Sequence, residues 1–120
     1  MSQDAVAMFD MKVNHVGINA DSGEQAAAWA ADFLRLMGIP TKDGDQSVWA
    51  GDLVEIMKGT GRGTVGHIAF KVNDCDRAVE YFKSLGMTPV EETRKVVDGK
   101  TVFIYFKEEI AGFAIHLNQA

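Results

Sequence analysis

A chain of 120 residues, 47 % of them hydrophobic, is long enough for one domain with a real core. A net charge of −5 and a pI near 5.1 exclude the basic surface that nucleic-acid binding needs, but not a site for a small anion, which takes one or two local cations. No run approaches the roughly 18 apolar residues of a membrane span, and one cysteine, Cys75, allows neither an intrachain disulfide nor a zinc ribbon.

A reducing, cytoplasmic setting is the simplest reading of that cysteine usage, with Cys75 an ordinary helix-start residue. The opening "MSQDAVAMFD" has acids where a signal peptide has a basic region, so residues 1–11 read as a loose N-terminal arm. "KVNHVGIN" (12–19) alternates as a strand, with Asn14, Val16 and Ile18 on one face and Val13, His15 and Gly17 on the other. "DSGEQAAAWAADFLRLMG" (21–38) has helical spacing. Ser22 and Gln25 fit a capping box, Trp29, Phe33, Leu36 and Met37 form the apolar stripe, and Gly38 and Pro40 end it. Three short strands follow, near 39–43, 46–50 and 52–58, with turns at Asp43-Gly44 and Gly51-Asp52.

"KGTGRGTVG" (58–66) is a glycine-rich linker. It contains G-x-G-x-x-G (Gly61, Gly63, Gly66), but the motif runs into a strand and opens no helix, so it is no dinucleotide fingerprint. The order then repeats: a strand at 64–73, a helix at 75–86 with Val79, Phe82 and Leu85 as its stripe, and strands near 87–95, 100–107 and 112–118, with a hairpin turn at Asp98-Gly99. "LMGIP" (36–40) answers "LGMTP" (85–89), and His15 and His67 hold matching positions in the two first strands. The expectation is an internal duplication: one domain over 12–118, made of β-α-β-β-β modules 12–58 and 64–118. The fold class is α+β, a curved, mainly antiparallel sheet with both helices outside.

Each module must bury its helix against the more apolar face of its strands. Val54 and Ile56 on one strand, and Phe113, Ile115 and Leu117 on another, would then face the helices. Glu55 and His116 would point the other way, as would His15 and His67. All three histidines of the chain thus fall on one face, mid-strand, with one carboxylate. Three imidazoles and a carboxylate suit a borderline divalent ion: Zn, Ni, Fe, Mn or Co. Taken singly, each histidine reads as a hydrogen-bonded packing residue and the glutamate as a solvated one; their shared position in a repeat argues for convergence. In "KTVFIYFK", Val102, Ile104 and Phe106 would go to the helices and Phe103, Tyr105 and Lys107 to the opposite face, where Trp49 joins them as a substrate wall. Core packing or a dimer contact is the competing role for these aromatics. Arg62, Arg94 and Lys107 could meet a substrate carboxylate or phosphate, or simply be solvated.

"NHVGI", "VEIM", "GHIAF" and the tandem β-α-β-β-β order resemble the vicinal oxygen chelate superfamily, over about 12–118. That group includes lactoylglutathione lyase (glyoxalase), methylmalonyl-CoA epimerase, extradiol dioxygenases and the metal-free bleomycin-resistance proteins. The resemblance implies metal ligands at His15, Glu55, His67 and His116. It implies a metal-dependent isomerase, epimerase or lyase of the lactoylglutathione lyase type, acting on a small oxo- or hydroxy-acid or its adduct, with Glu55 as base. It also implies a homodimer. In "GFAIHLNQ" the family usually has glutamate where His116 stands, a departure at the position that often moves the proton. "SVWAGDLVEIMKG", "GTVGHIAFKVND" and "FIYFKEEIAGFAIHLNQ" further resemble the glyoxalase-like C-terminal domain of bifunctional 4-hydroxy-2-oxoglutarate / 2-dehydro-3-deoxy-phosphogluconate aldolases. The alternative they imply is a non-catalytic metabolite-binding or accessory domain; 120 residues cannot form an aldolase barrel.

Overall fold

The computed structural model describes residues 4–120. Its elements run α1 (Ala5–Phe9), β1 (Lys12–Asn19), α2 (Gly23–Met37), β2 (Thr41–Asp43), β3 (Ser47–Ala50), β4 (Val54–Met57), β5 (Gly66–Val72), α3 (Cys75–Ser84), β6 (Pro89–Val97), β7 (Lys100–Ile110) and β8 (Phe113–Gln119). The strands form one sheet in the order β2-β3-β4-β1-β5-β8-β7-β6. The expected α+β class holds, and the two β-α-β-β-β runs join edge to edge through the antiparallel pair β1·β5. Within each run the first and last strands lie parallel, β1 with β4 and β5 with β8; the other pairings are antiparallel.

Local chemistry explains the punctuation. Ser22 caps α2 by accepting from the Gln25 N–H, and the Gln25 side chain reaches back to the Asp21 N–H, one residue beyond the usual box partner. Gly38 and Gly86 follow the two helices with φ of 70° and 104°, conformations that L side chains resist. Asp98-Gly99 and Ala111-Gly112 have positive φ at both positions, as a two-residue hairpin turn requires. The second of these turns lets β7 continue to Ile110, three residues past its expected end.

The apolar faces pack as the alternation implies. Ile56 and Val48 meet Ala26 and Ala30 of α2, while Ile104, Phe106, Ile115 and Leu117 meet Ala78 and Val79 of α3. Large side chains buried to this degree each contribute about 1.5–3 kcal/mol. Three expectations need correction. Leu36, Met37 and Leu85 lie outside their stripes, 68 %, 67 % and 60 % exposed; the buried residues of the two helices are the small Ala26, Ala30 and Ala78 with Cys75 and Val79. Residues 4–11 are not a loose arm. Asp4 caps α1, Phe9 is buried against Tyr81 and Phe82, and the Phe9 carbonyl accepts from the Asn73 N–H at 2.8 Å. Asn14 sits at a register shift in β1, so its side chain leaves the helix face and turns to His15.

Cys75 starts α3 fully buried, and burial pushes its thiol up to about 11, so it stays protonated and unreactive. Among the described residues no helix is long and apolar enough to cross a membrane.

Candidate metal centre

The register of the central strands brings four polar side chains together. On β1, Gly17 lies opposite both Glu55 of β4 and His67 of β5. On β5, Ala69 lies opposite both His15 of β1 and His116 of β8. Each small residue is thus flanked by two large polar ones, and the two rows are offset by one step of the pleat. Four side chains can therefore lean into a common space above Gly17 and Ala69. At Gly17 the fit is tight: a Cβ there would overlap the His67 ring, so only glycine lets that ring lie over the strand.

The three imidazole centroids are 5.2, 5.2 and 5.3 Å apart, and one ring nitrogen from each lies within 4.8 Å of the others. His15 Nε2 is 3.1 Å from His67 Nε2. Glu55 Oε1 is 3.2 Å from His67 Nε2 and 3.7 Å from His15 Nε2. Ser47 Oγ donates to Glu55 Oε2 at 2.8 Å and so fixes the carboxylate plane. Asn14 Oδ1 accepts from His15 Nδ1 at 2.7 Å, and Asn118 Oδ1 from His116 Nδ1 at 2.9 Å, which puts the proton on Nδ1 and the lone pair on Nε2 of both rings. Among the described residues His67 Nδ1, which is buried, has no hydrogen-bond partner.

The electrostatics favour the neutral forms of His15 and His116 and the charged form of Glu55. Burial and the neighbouring His67 push His15 below its ordinary value, against the pull of Glu55. Burial, then His67 and His15, push His116 down to about 3. Burial alone would raise Glu55, but its hydrogen bonds with His67 and Ser47 outweigh that and hold it below the usual carboxylate range. Neutral imidazole and ionised carboxylate are the forms that bind a divalent cation.

Ligands about 2.0–2.2 Å from a shared ion stand roughly 3.0–3.5 Å apart in tetrahedral or octahedral arrangements, close to the spacing of His15 Nε2, His67 Nε2 and Glu55 Oε1. Ring nitrogens and a carboxylate oxygen this close need a shared proton or a cation between them. The donor set therefore fits a divalent ion.

Of the expected wall residues, Trp49 stands edge-on to His15 at 4.9 Å, Phe103 is 4.6 Å from His116, and Tyr105 is 4.7 Å from His116 and 6.2 Å from His67. Burial and Glu55 raise the Tyr105 hydroxyl to about 12, so it stays neutral. Lys107 does not join them. The strand shifts register between Tyr105 and Glu109, and Lys107 is exposed on a cleft of about 430 Å³ that it shares with Arg62, Thr88 and Glu92. Sequence reasoning missed Ser47, Asn14 and Asn118. Their signal is only their place beside a site residue in sequence or space, which is uninformative until strand register is known.

The Glyoxalase/Bleomycin resistance protein/Dioxygenase superfamily model matches residues 30–117. The chain belongs to that superfamily. The matched stretch includes Glu55, His67 and His116; His15 lies before it. Among solved structures, this superfamily member is similar to a variant of Streptomyces coelicolor methylmalonyl-CoA epimerase in complex with 2-nitronate-propionyl-CoA (14 % identity, TM-score 0.61, 91 % of this chain and 96 % of that one). It is similar to a hypothetical protein from Bacillus halodurans (15 %, 0.60, 92 % and 94 %). It is also similar to the Arthrobacter globiformis homoprotocatechuate 2,3-dioxygenase (13 %, 0.57, 90 % of this chain and 35 % of that one). At such identities the likeness is one of fold. No curated protein sequence matches this superfamily member.

Proposed function

We propose that His15, Glu55, His67 and His116 hold a divalent metal ion, and that the chain is an isomerase, epimerase or lyase acting on a small oxo- or hydroxy-acid or its adduct. The observation that carries the reading is the spacing of His15 Nε2, His67 Nε2 and Glu55 Oε1, at 3.1–3.7 Å, with His15 pushed toward its neutral form and Glu55 toward its ionised one. When bound, the ion supplies Lewis-acid stabilisation for charge developing on two adjacent substrate oxygens.

The chain's own residues do the rest. Glu55, ionised at neutral pH, is the group that takes a proton from the carbon next to a carbonyl and returns it. Its side chain is 20 % exposed where those of His15 and His67 are 8 % and 2 %, so it is the most approachable of these three. The Ser47 hydroxyl on Oε2 leaves Oε1 as the oxygen that reaches either the ion or the substrate proton, so Glu55 acts as base in the role of a displaceable ligand. Neutral Tyr105, packed on His116 and near His67, forms one wall beside the cluster. The four residues come from one chain, so a homodimer, which the family resemblance implies, is not needed to assemble them.

The test is metal analysis of the purified protein, followed by solvent-deuterium incorporation into a 2-oxo acid monitored by NMR. Exchange that depends on the metal and disappears in Glu55→Gln supports the reading. Stoichiometric metal in His67→Ala overturns the site.

One observation favours a second reading. His116 stands where the family usually has a carboxylate, which among the described residues leaves Glu55, beside His15 and His67, as the acid next to the histidine cluster. A metabolite-binding or accessory module, working beside a cytoplasmic sugar-acid aldolase, would bind metal and ligand yet give no deuterium exchange.

A further inference from the structure

The aromatic wall beside His116 carries two cations. The Arg62 guanidinium lies over Tyr105, 5.2 Å from the ring centroid, and Lys95 Nζ lies over Phe103 at 4.7 Å. Both rings pack directly on His116. Among the described residues neither cation has an ion-pair partner, whereas the adjacent Arg94 is held by Glu91 and Asp76. Glu91 of the same cleft is thus committed elsewhere, and Glu92 is the acid that shares the cleft with Arg62.

Both cations are placed by the backbone. The amide of Asn19, on the same strand as His15, donates toward the carbonyls of Gly61, Arg62 and Gly63 at 3.4, 3.3 and 2.9 Å. A Cβ at Gly61 would overlap the Asn19 side chain. A Cβ at Gly63, where φ is +87°, would overlap the Gly66 carbonyl. The two glycines let the loop fold down onto β1 and fix the root of Arg62. Register shifts on either side of Lys95 set it directly opposite Phe103 on the neighbouring strand, so the two side chains share a face. A merely solvated arginine or lysine needs no such anchoring.

We propose that Arg62 and Lys95 are the specificity-determining residues of the site. They receive a second anionic group, a carboxylate or a phosphate, one ring's width from the oxygens presented to the His/Glu cluster. The proposal rests on the chelating reading above and narrows its substrate class to acids with a distal anion. Arginine suits this role because its planar fork matches carboxylate and phosphate oxygens, and its aromatic support holds that fork while free.

The test is titration calorimetry on the zinc-loaded full chain with two matched pairs: 2-oxoglutarate against 2-oxopentanoate, and 3-phosphoglycerate against glycerate. Each pair keeps the adjacent oxygens and differs in the distal anion. The acid bearing the favoured anion binds at least about tenfold tighter than its partner, and the pair that shows the gap names the anion. Arg62→Gln with Lys95→Gln abolishes the gap while zinc content and 2-oxopentanoate affinity stay unchanged; Arg62→Lys alone preserves most of it. Equal affinities within both pairs, or a gap that survives the double substitution, overturn the proposal and leave the chelating reading standing. Binding of none of the four overturns both.

Discussion

The two halves of the sheet solve one geometric problem with unequal means. Each half gives a histidine on its first strand and a polar residue on its last, and each lends one small residue that separates a pair drawn from both halves: Gly17 lies between Glu55 and His67, Ala69 between His15 and His116. Beyond that the halves diverge. The strands β2 to β4 have three or four residues each, and their helix meets the sheet through Ala26 and Ala30. The strands β6 to β8 have seven to eleven, and their core holds Phe9, Ile104, Phe106, Ile115 and Leu117. The second half is the stiff platform; the first brings the carboxylate and the accessible edge of the site. A duplicated fold can keep its ligand register while one copy carries the stability and the other the reactive group.

The sharpest way to break this comparison is to damage each core. Phe106→Ala removes a 2 %-exposed ring that packs on Phe82, and should cost about 3–5 kcal/mol in urea denaturation. Val48→Ala, in the smaller core, removes less volume and should cost roughly 2 kcal/mol. Equal costs would remove the distinction between platform and edge.

Next in size is Gly17→Ala. The backbone there is unstrained, so the whole effect is the overlap between the new methyl and the His67 ring. Zinc affinity should fall on the order of 100-fold, with the denaturation midpoint of the zinc-free protein little changed. At the equivalent position the second half already carries a methyl, on Ala69, beside His15 and His116. Unchanged zinc binding in Gly17→Ala would mean that His67 does not need its place over β1.

Most of this architecture is legible in the sequence because alternation and duplication are strong signals. Two histidines at equal offsets, and strands whose apolar stripes name their buried face, are enough to put His15, Glu55, His67 and His116 on the other face. What is not legible depends on small departures from regularity. The register shift in β1 that turns Asn14 toward His15, the shift in β7 beside the exposed Lys107, and the helix ends that leave Leu36 and Leu85 exposed all break the periodicity on which such reading relies. Arg62 is a separate case: its role depends on a loop conformation set by Asn19, and no periodic pattern reports a loop.

A smaller effect is expected with pH, in the zinc-free protein. His116 is held at about 3 when folded, against an ordinary 6.5, and His15 is lowered as well. Such groups bind fewer protons folded than unfolded, so stability falls as pH drops from about 6.5 toward the folded values. The slope is up to about 1.4 kcal/mol per pH unit for each histidine. Glu55, also lowered, adds loss in the same direction, but below its ordinary 4.5. Urea midpoints at pH 7 and pH 5 should therefore differ, and His116→Gln should flatten the difference. A wild-type protein equally stable at both values would show that these rings are not buried neutral.

The smallest effect separates the halves again. Asn14 and Asn118 each accept from the Nδ1 of a cluster histidine and so orient its Nε2. Their neighbours differ, however. His116 lies against the Phe103 and Tyr105 rings, at 4.6 and 4.7 Å, so packing alone holds much of its orientation. Among the described residues His15 has one aromatic neighbour outside the cluster, the edge-on Trp49 at 4.9 Å. Loss of the hydrogen bond should therefore matter more for His15. Asn14→Leu should weaken zinc binding about tenfold, and Asn118→Leu by less, in competition titrations with a chromogenic chelator. Asn14→Asp, which puts a charged acceptor on the same Nδ1–H, should restore or tighten binding, because a carboxylate makes the imidazole a better donor to the ion. If Asn118→Leu proves the more damaging, the aromatic wall does not hold His116, and its function is confined to substrate contact.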